Sequence, residues 1–185
     1  MPERVCPWWL GYFLASPVRR LWQNPAQILR PYVREGMTIL EPGPGMGFFT
    51  LELARLAGPS GKVVAVDLQP RMLQTLKRRL QKRNLLDRVD ARLAQSNSMG
   101  VADLNGKVDL VLAFAVVHEF PDKAAFFAEA AQTMKPGAAL LMAEPSGHVE
   151  DAKFSSELEA ASRHGLKQVE TPIISRSHTA LLRKS

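Results

Sequence analysis

Residues 39–50 read ILEPGPGMGFFT, with glycines at alternate positions, Gly43, Gly45 and Gly47, set behind a short apolar run and an acid, Glu41. Glycine at a strand-to-helix turn lets the backbone bend sharply and lets a ligand approach it closely. The spacing is G-x-G-x-G. A dinucleotide fingerprint would need glycine at position 48, which is Phe48, so the turn argues against a pyrophosphate seated on the helix start.

Outward from this turn the chain alternates short β-rich runs with longer helical stretches. The runs are MTILE (37–41), KVVAVD (62–67), VDARLAQ (89–95), VDLVLAF (108–114) and AALLMAE (138–144). Helices are predicted over 47–57, 70–84 and 122–135, the last closed by Pro136 and Gly137, and over about 150–164. Met72, Leu76 and Leu80 form an apolar stripe suited to packing on a sheet. Nearly all-apolar strands separated by helices imply a parallel sheet covered on both faces. The runs LKQVETP (166–172) and HTALLRK (178–184) lie too close together for a crossover helix, so they should pair antiparallel. Ligands of such sheets bind outside the carboxyl ends of the strands.

At 185 residues the chain is the size of one domain. Its net charge of +6 favours anionic partners without choosing among them. A single cysteine, Cys6, excludes an intramolecular disulfide framework and fits a reducing compartment. No apolar run is long enough to span a bilayer, and WWLGYFLAS (8–16), followed by Arg19 and Arg20, reads as a packed or surface helix rather than a signal core. The expectation is a cytoplasmic protein without a membrane partner; no feature specifies an oligomeric state.

Asp67 ends the second run, twenty residues after Gly47. A carboxylate there can accept two hydrogen bonds from a ribose diol; it also suits the start of the helix at Pro70. With these pieces in order, the chain resembles the class I S-adenosylmethionine-dependent methyltransferases. ILEPGPGMG, VVAVDLQPRML, VDLVLAFAVVHEFPD and MKPGAALLMAEP carry the likeness, over about residues 36–184. The resemblance implies a three-layer, Rossmann-like α/β sandwich whose seven-stranded sheet has an antiparallel last strand. It also implies S-adenosylmethionine as cofactor, held by Glu41, Gly43, Pro44, Gly45 and Gly47 at its methionine portion and by Asp67 at its ribose. Leu68 and Phe114 would pack against it. Many members carry an acid after the third strand to receive the adenine amino group. This chain reads AQSNSMG there, leaving Ser96, Asn97 or Ser98 as neutral acceptors.

The acceptor is less legible. The DPPY or NPPY motif of enzymes that methylate adenine or glutamine amines is missing after the fourth strand, where AFAVVHEFPD stands. His118 and Glu119, just past that strand, are the candidate catalytic pair, His118 as general base; the same position suits a residue that orients the next helix. Glu144, Ser146 and His148 follow the fifth strand, a second polar cluster expected to form, with His118 and Glu119, a carboxylate–imidazole site on one edge of the pocket. Their spacing marks no metal site. One cysteine cannot make the several-thiolate site of arsenic-methylating relatives. Residues 1–35, with Trp8, Trp9 and Tyr12, read as a lid over the core of 36–185, enclosing a small-molecule substrate. Two alternatives stand beside this one. Eight Lys or Arg residues between Arg71 and Arg92 offer RNA a basic face, and the fold could bind S-adenosylmethionine without catalysis.

Overall fold

The computed structural model describes residues 23–95 and 97–185; Trp8, Trp9, Tyr12, Cys6 and Ser96 lie outside the described residues. A short helix, α1 (Pro25–Leu29), starts at Asn24, whose side chain accepts a hydrogen bond from the Ala26 amide. Then follow β1 (Thr38–Pro42), α2 (Thr50–Ala57), β2 (Lys62–Asp67), α3 (Pro70–Gln81), β3 (Val89–Leu93) and β4 (Val108–Phe114). The chain continues with α4 (Lys123–Thr133), β5 (Met134–Pro145), α5 (Asp151–Arg163), β6 (Leu166–Glu170) and β7 (Ser177–Lys184).

All seven strands form one sheet in the order β3-β2-β1-β4-β5-β7-β6. β1 to β5 pair in parallel, and β7 runs antiparallel between β5 and β6. The expected mostly parallel sheet with an antiparallel last strand is what the chain builds. Strand order reverses between β1 and β4, which opens a crevice at their carboxyl ends. Alternate strand residues serve the two faces. Leu140, Met142 and Leu182 pack with Phe126, Phe127 and Phe154 of α4 and α5. Leu141, Ala143 and Leu181 pack on the other side, in the cluster that holds Leu53 and Leu76 of α2 and α3.

Several boundaries differ from the sequence expectation for identifiable reasons. α2 begins at Thr50 rather than 47, because Gly47 is held at φ +85° by the turn before it. α3 stops at Gln81 and the chain turns through Asn84 at φ +54°. Asp122 is the cap of α4, its carboxylate accepting from the Ala125 amide at 2.9 Å. The Pro136–Gly137 signal ends no more than the helix. β5 already starts at Met134, and its register against β4 shifts over this stretch, Val108 facing Met134 and Leu110 facing Ala139.

At the amino ends of the strands, Asp109 on β4 accepts from the Thr38 amide of β1 at 2.8 Å and from Lys135 of β5 at 2.6 Å. Phe127 is fully buried under the β4–β5 face. Phe127→Ala is expected to destabilise the domain by about 3–5 kcal/mol, read from urea unfolding.

Candidate active site

The glycine turn is fastened at both ends. The Gly43 amide donates to the Val66 carbonyl of β2 at 2.9 Å, and the Gly47 amide donates to the Pro44 carbonyl at 2.9 Å. All three glycines have positive φ, but for different surroundings. A Cβ on Gly43 would stand 2.4 Å from Cγ2 of Val116, and one on Gly47 would stand 2.4 Å from Cδ1 of Leu76 on α3. A Cβ on Gly45 would meet nothing within 4 Å. The outer two glycines are needed for packing, and Gly45 leaves open backbone toward the crevice.

Asp67, at the carboxyl end of β2, is 9% exposed and joins the turn: one oxygen accepts from the Gly45 amide at 3.2 Å, the other from the Gln69 amide at 2.8 Å. Burial pushes its pKa up to about 6, against the pull of those amides. Glu41, on β1, is buried at 3% exposure, and its Oε2 has no hydrogen-bond partner among the described residues. Burial raises its pKa to about 8, with the Thr50 hydroxyl opposing and the charge of Asp67 adding to the rise.

Both acids line a cleft with Gly43, Pro44, Gly45 and Phe114, and with Leu68, which is 43% exposed. Phe114 packs on Phe49 with ring centroids 4.2 Å apart. A third acid, Glu119, lines the far side with Phe120 and Pro121. Among the described residues, the lining contains three carboxyls and no Lys, Arg or His, although the chain carries a net +6. Such a cleft suits a cationic ligand and repels a pyrophosphate.

Residues 33–181 match the family model described as a methyltransferase domain. The chain belongs to that family. Its members' fold and the cofactor S-adenosylmethionine come with this membership. The methyltransferase domain is 30% identical over 131 residues to a ubiquinone/menaquinone biosynthesis C-methyltransferase of Hahella chejuensis, covering 71% of this chain and 51% of that protein. It is 29% identical over 124 residues to an arsenite methyltransferase of Halobacterium salinarum, covering 67% of this chain and 30% of that one. The chain thus spans about half or less of the length of these curated relatives. In fold it is similar to a SAM-dependent methyltransferase from Aquifex aeolicus, with a TM-score of 0.83 at 23% identity, covering 97% and 98% of the two chains.

Within the methyltransferase domain, two of the neutral acceptors named after β3, Asn97 and Ser98, stand outside the cleft lining. Asn97 is exposed and lies outside the lining, and Ser98 is bonded to Glu129 on α4 at 3.0 Å. Glu129 also accepts from the Met99 amide at 2.9 Å and the Gly100 amide at 3.0 Å, which fixes this loop. The polar side chain that does line the cleft here is Gln95, which sequence reasoning passed over. The signal was available: it is the first polar residue beyond the end of β3.

The cluster expected after β5 is divided. His148 and Ser146 are exposed and lie outside the cleft, because the turn after Pro145 buries Val149 instead. Glu144 is fully buried and also stands outside the lining of this cleft. It turns under the segment after β4, accepting from the Val116 amide at 3.1 Å and the Val117 amide at 2.9 Å and pairing with Nδ1 of His118. Ala115, at φ +53°, makes the bend that lets this segment fold back, its amide bonded to the Ala143 carbonyl at 2.7 Å. Of the two catalytic candidates, Glu119 lines the cleft and His118 is its partly exposed neighbour.

The basic stretch is also thinner than its sequence. Arg92 is taken by Asp103 at 2.7 Å and by Asp90 at 2.8 Å, Arg79 by the Met46 carbonyl and Arg88 by the Ala54 carbonyl at 3.4 Å. Among the described residues, no group of three His, Cys, Asp or Glu is placed to hold a metal ion, and no helix is long and apolar enough to cross a membrane.

Two predictions follow from this packing. Gly45→Ala should cost about 1–2 kcal/mol from its left-handed backbone. Gly43→Ala should cost about 1–3 kcal/mol more, because stiff Val116 cannot yield; urea midpoints compare the two. Glu41, Asp67 and Glu157 have folded-state pKa values raised to about 8, about 6 and about 7, from ordinary values of 4.5, 3.8 and 4.5. They bind protons more tightly folded than unfolded, so their contribution is greatest in acid and is lost as pH rises through 4 to 8. The urea midpoint of the ligand-free domain should carry this fall, and Glu41→Gln should flatten it between pH 6 and 8.

Proposed function

We propose that this domain transfers the methyl group of S-adenosylmethionine to a small-molecule acceptor entering beside Glu119 and Phe120. The observation that carries the reading is that, among the described residues, the charged side chains lining the cleft around the open backbone of Gly45 are all acids. When bound, the cofactor supplies a methyl group on a sulfonium, already activated for transfer, so the protein contributes alignment, desolvation and a destination for a proton. Asp67 accepts from the ribose hydroxyls with the lone pairs its two backbone bonds leave over. Glu41 balances the cationic end of the methionine portion, for which its partnerless Oε2 is suited. Gln95 meets the adenine edge, its amide able to accept from an amino group and donate to a ring nitrogen. Leu68 and Phe114 cover the flat faces, and Glu119 stands on the acceptor side.

A small acceptor is supported by the short connections between the strands among the described residues. Trp8, Trp9 and Tyr12, expected in a lid, lie outside those residues, and the described part of that segment packs Leu29 and Val33 into the core instead of lining the cleft. The similar proteins named above act on arsenite and in quinone biosynthesis. With Cys6 as its single cysteine, this chain lacks the thiols for an arsenic site. RNA is the weaker reading. Lys77, Arg78, Lys82 and Arg83 are exposed at the carboxyl-terminal end of α3 and just beyond it, and α3 runs back from the carboxyl ends of the strands, away from the cleft.

Calorimetric titration tests the cofactor half. S-adenosylmethionine and S-adenosylhomocysteine should bind and NAD should not; Asp67→Ala should weaken binding about ten- to hundred-fold through loss of charge-assisted hydrogen bonds. Binding of NAD alone overturns the reading. Near pH 7, binding of S-adenosylmethionine should release close to one proton as Glu41 ionises beside the cation, read from heats in buffers of different ionisation enthalpy. Glu41→Gln should abolish that release. An acceptor screen then separates an enzyme from a module that only binds.

A further inference from the structure

Behind the cleft wall lies a second polar group that cofactor binding does not use. Glu144 and Glu157 are buried at 0% and 1% exposure, on β5 and α5. Glu144 holds the Val116 and Val117 amides through Oε1 and Nδ1 of His118 through Oε2. Both oxygens of Glu157 lack a hydrogen-bond partner among the described residues, and it stands near enough to Glu144 and His118 for their charges to act on it. His178 of β7 is the register partner of Glu144, and its ring is occupied by Asp151 at 3.3 Å and by Phe154.

Glu144 Oε1 is committed as the acceptor of two backbone amides, so Glu144 meets the ring as an acceptor through Oε2 and the hydrogen of the contact is assigned to His118 Nδ1. That leaves Nε2 without a proton, and no hydrogen bond among the described residues occupies it. His118 is partly exposed, one residue from Glu119 in the cleft lining.

We propose that Glu144 is the positioning residue of a proton-accepting dyad, holding His118 in the Nδ1–H tautomer so that Nε2 receives the proton the acceptor loses. The inference rests on the methyl-transfer reading. The acceptor's electron pair forms the bond to the methyl carbon, the carbon–sulfur pair stays on sulfur, and the acceptor's proton passes to Nε2. The imidazolium is then stabilised by the Glu144 carboxylate. Electrostatics agree in direction: burial opposes the charged ring, but the hydrogen bond and charge of Glu144, with Glu119, outweigh it and hold the pKa above 6.5 against the opposing charge of Lys153. Behind the pair, Glu157 is raised toward neutrality by burial first and then by Glu144, with Lys123, Lys153 and His118 opposing. Near neutral pH it is therefore partly uncharged and competes little with Glu144 for the ring.

Long-range proton–nitrogen correlation of the imidazoles in ¹⁵N-labelled protein tests this without an acceptor. It is recorded from pH 5 to 9 with S-adenosylhomocysteine, and His118 is assigned by its loss in His118→Asn. Neutral His118 should carry its proton on Nδ1, and Nε2 should titrate above pH 6.5. In Glu144→Gln the carboxamide oxygen can keep the two backbone amides while its NH₂ donates to Nδ1. The proton should therefore move to Nε2 and the pKa should fall. A proton on Nε2 in the wild type, an Nε2 that does not titrate, or an unchanged tautomer in Glu144→Gln overturns the proposal. If that variant does not fold, the wild-type tautomer and titration decide. Failure of S-adenosylhomocysteine to bind would strike the methyl-transfer reading and leave the tautomer measurement intact.

Discussion

Three carboxyls taken out of water govern the carboxyl end of the sheet. Burying a carboxylate is costly unless it finds hydrogen bonds or a cation, and Glu41, Asp67 and Glu144 meet that cost in three ways. Glu144 spends its oxygens on two backbone amides and a ring nitrogen, and so fixes the shape of the segment after β4. Asp67 is half satisfied by the turn it adjoins. Glu41 keeps an oxygen unmatched, which a cationic ligand can satisfy. The gradient from structural acid to ligand-ready acid is one of partnering and not of position: Glu144 stands near the end of β5, Asp67 ends β2 and Glu41 lies on β1, with β4 between β1 and β5.

The rest of the fold makes that gradient possible. Gly43 and Gly47 allow β1 to meet Val116 and α3 at distances no side chain would permit, and this brings the turn against Asp67. Reversal of strand order between β1 and β4 places Glu41 and Glu119 on opposite sides of one crevice. The antiparallel insertion of β7 beside β5 closes the sheet without another crossover and brings His178 alongside Glu144.

An acidic cleft on a basic protein also separates local from global charge. The excess of Lys and Arg lies on helix surfaces, where water screens it, and several of those cations are bonded to carbonyls or acids. The cleft's own charges act at short range in a poorly hydrated space, so they decide what enters. Net charge alone points toward anionic partners, and the site points the other way.

Sequence alone determined the alternation of strands and helices, the closing hairpin, the glycine turn and the acids that flank it. Each of these is a local property, a period of apolar residues or a residue type at a fixed distance along the chain. Gln95 and Glu144 were decided only by tertiary structure. Gln95 gained its place when the β3 exit loop was pinned to Glu129, which committed Ser98 elsewhere and left Asn97 outside the cleft. Glu144 was legible as an acid after a strand. That it faces His118 rather than His148 depends on the pleat direction of β5, the bend at Ala115 and the turn that buries Val149. No pattern along the chain records which of two histidines, 26 residues before Glu144 or four after it, a buried carboxylate will find.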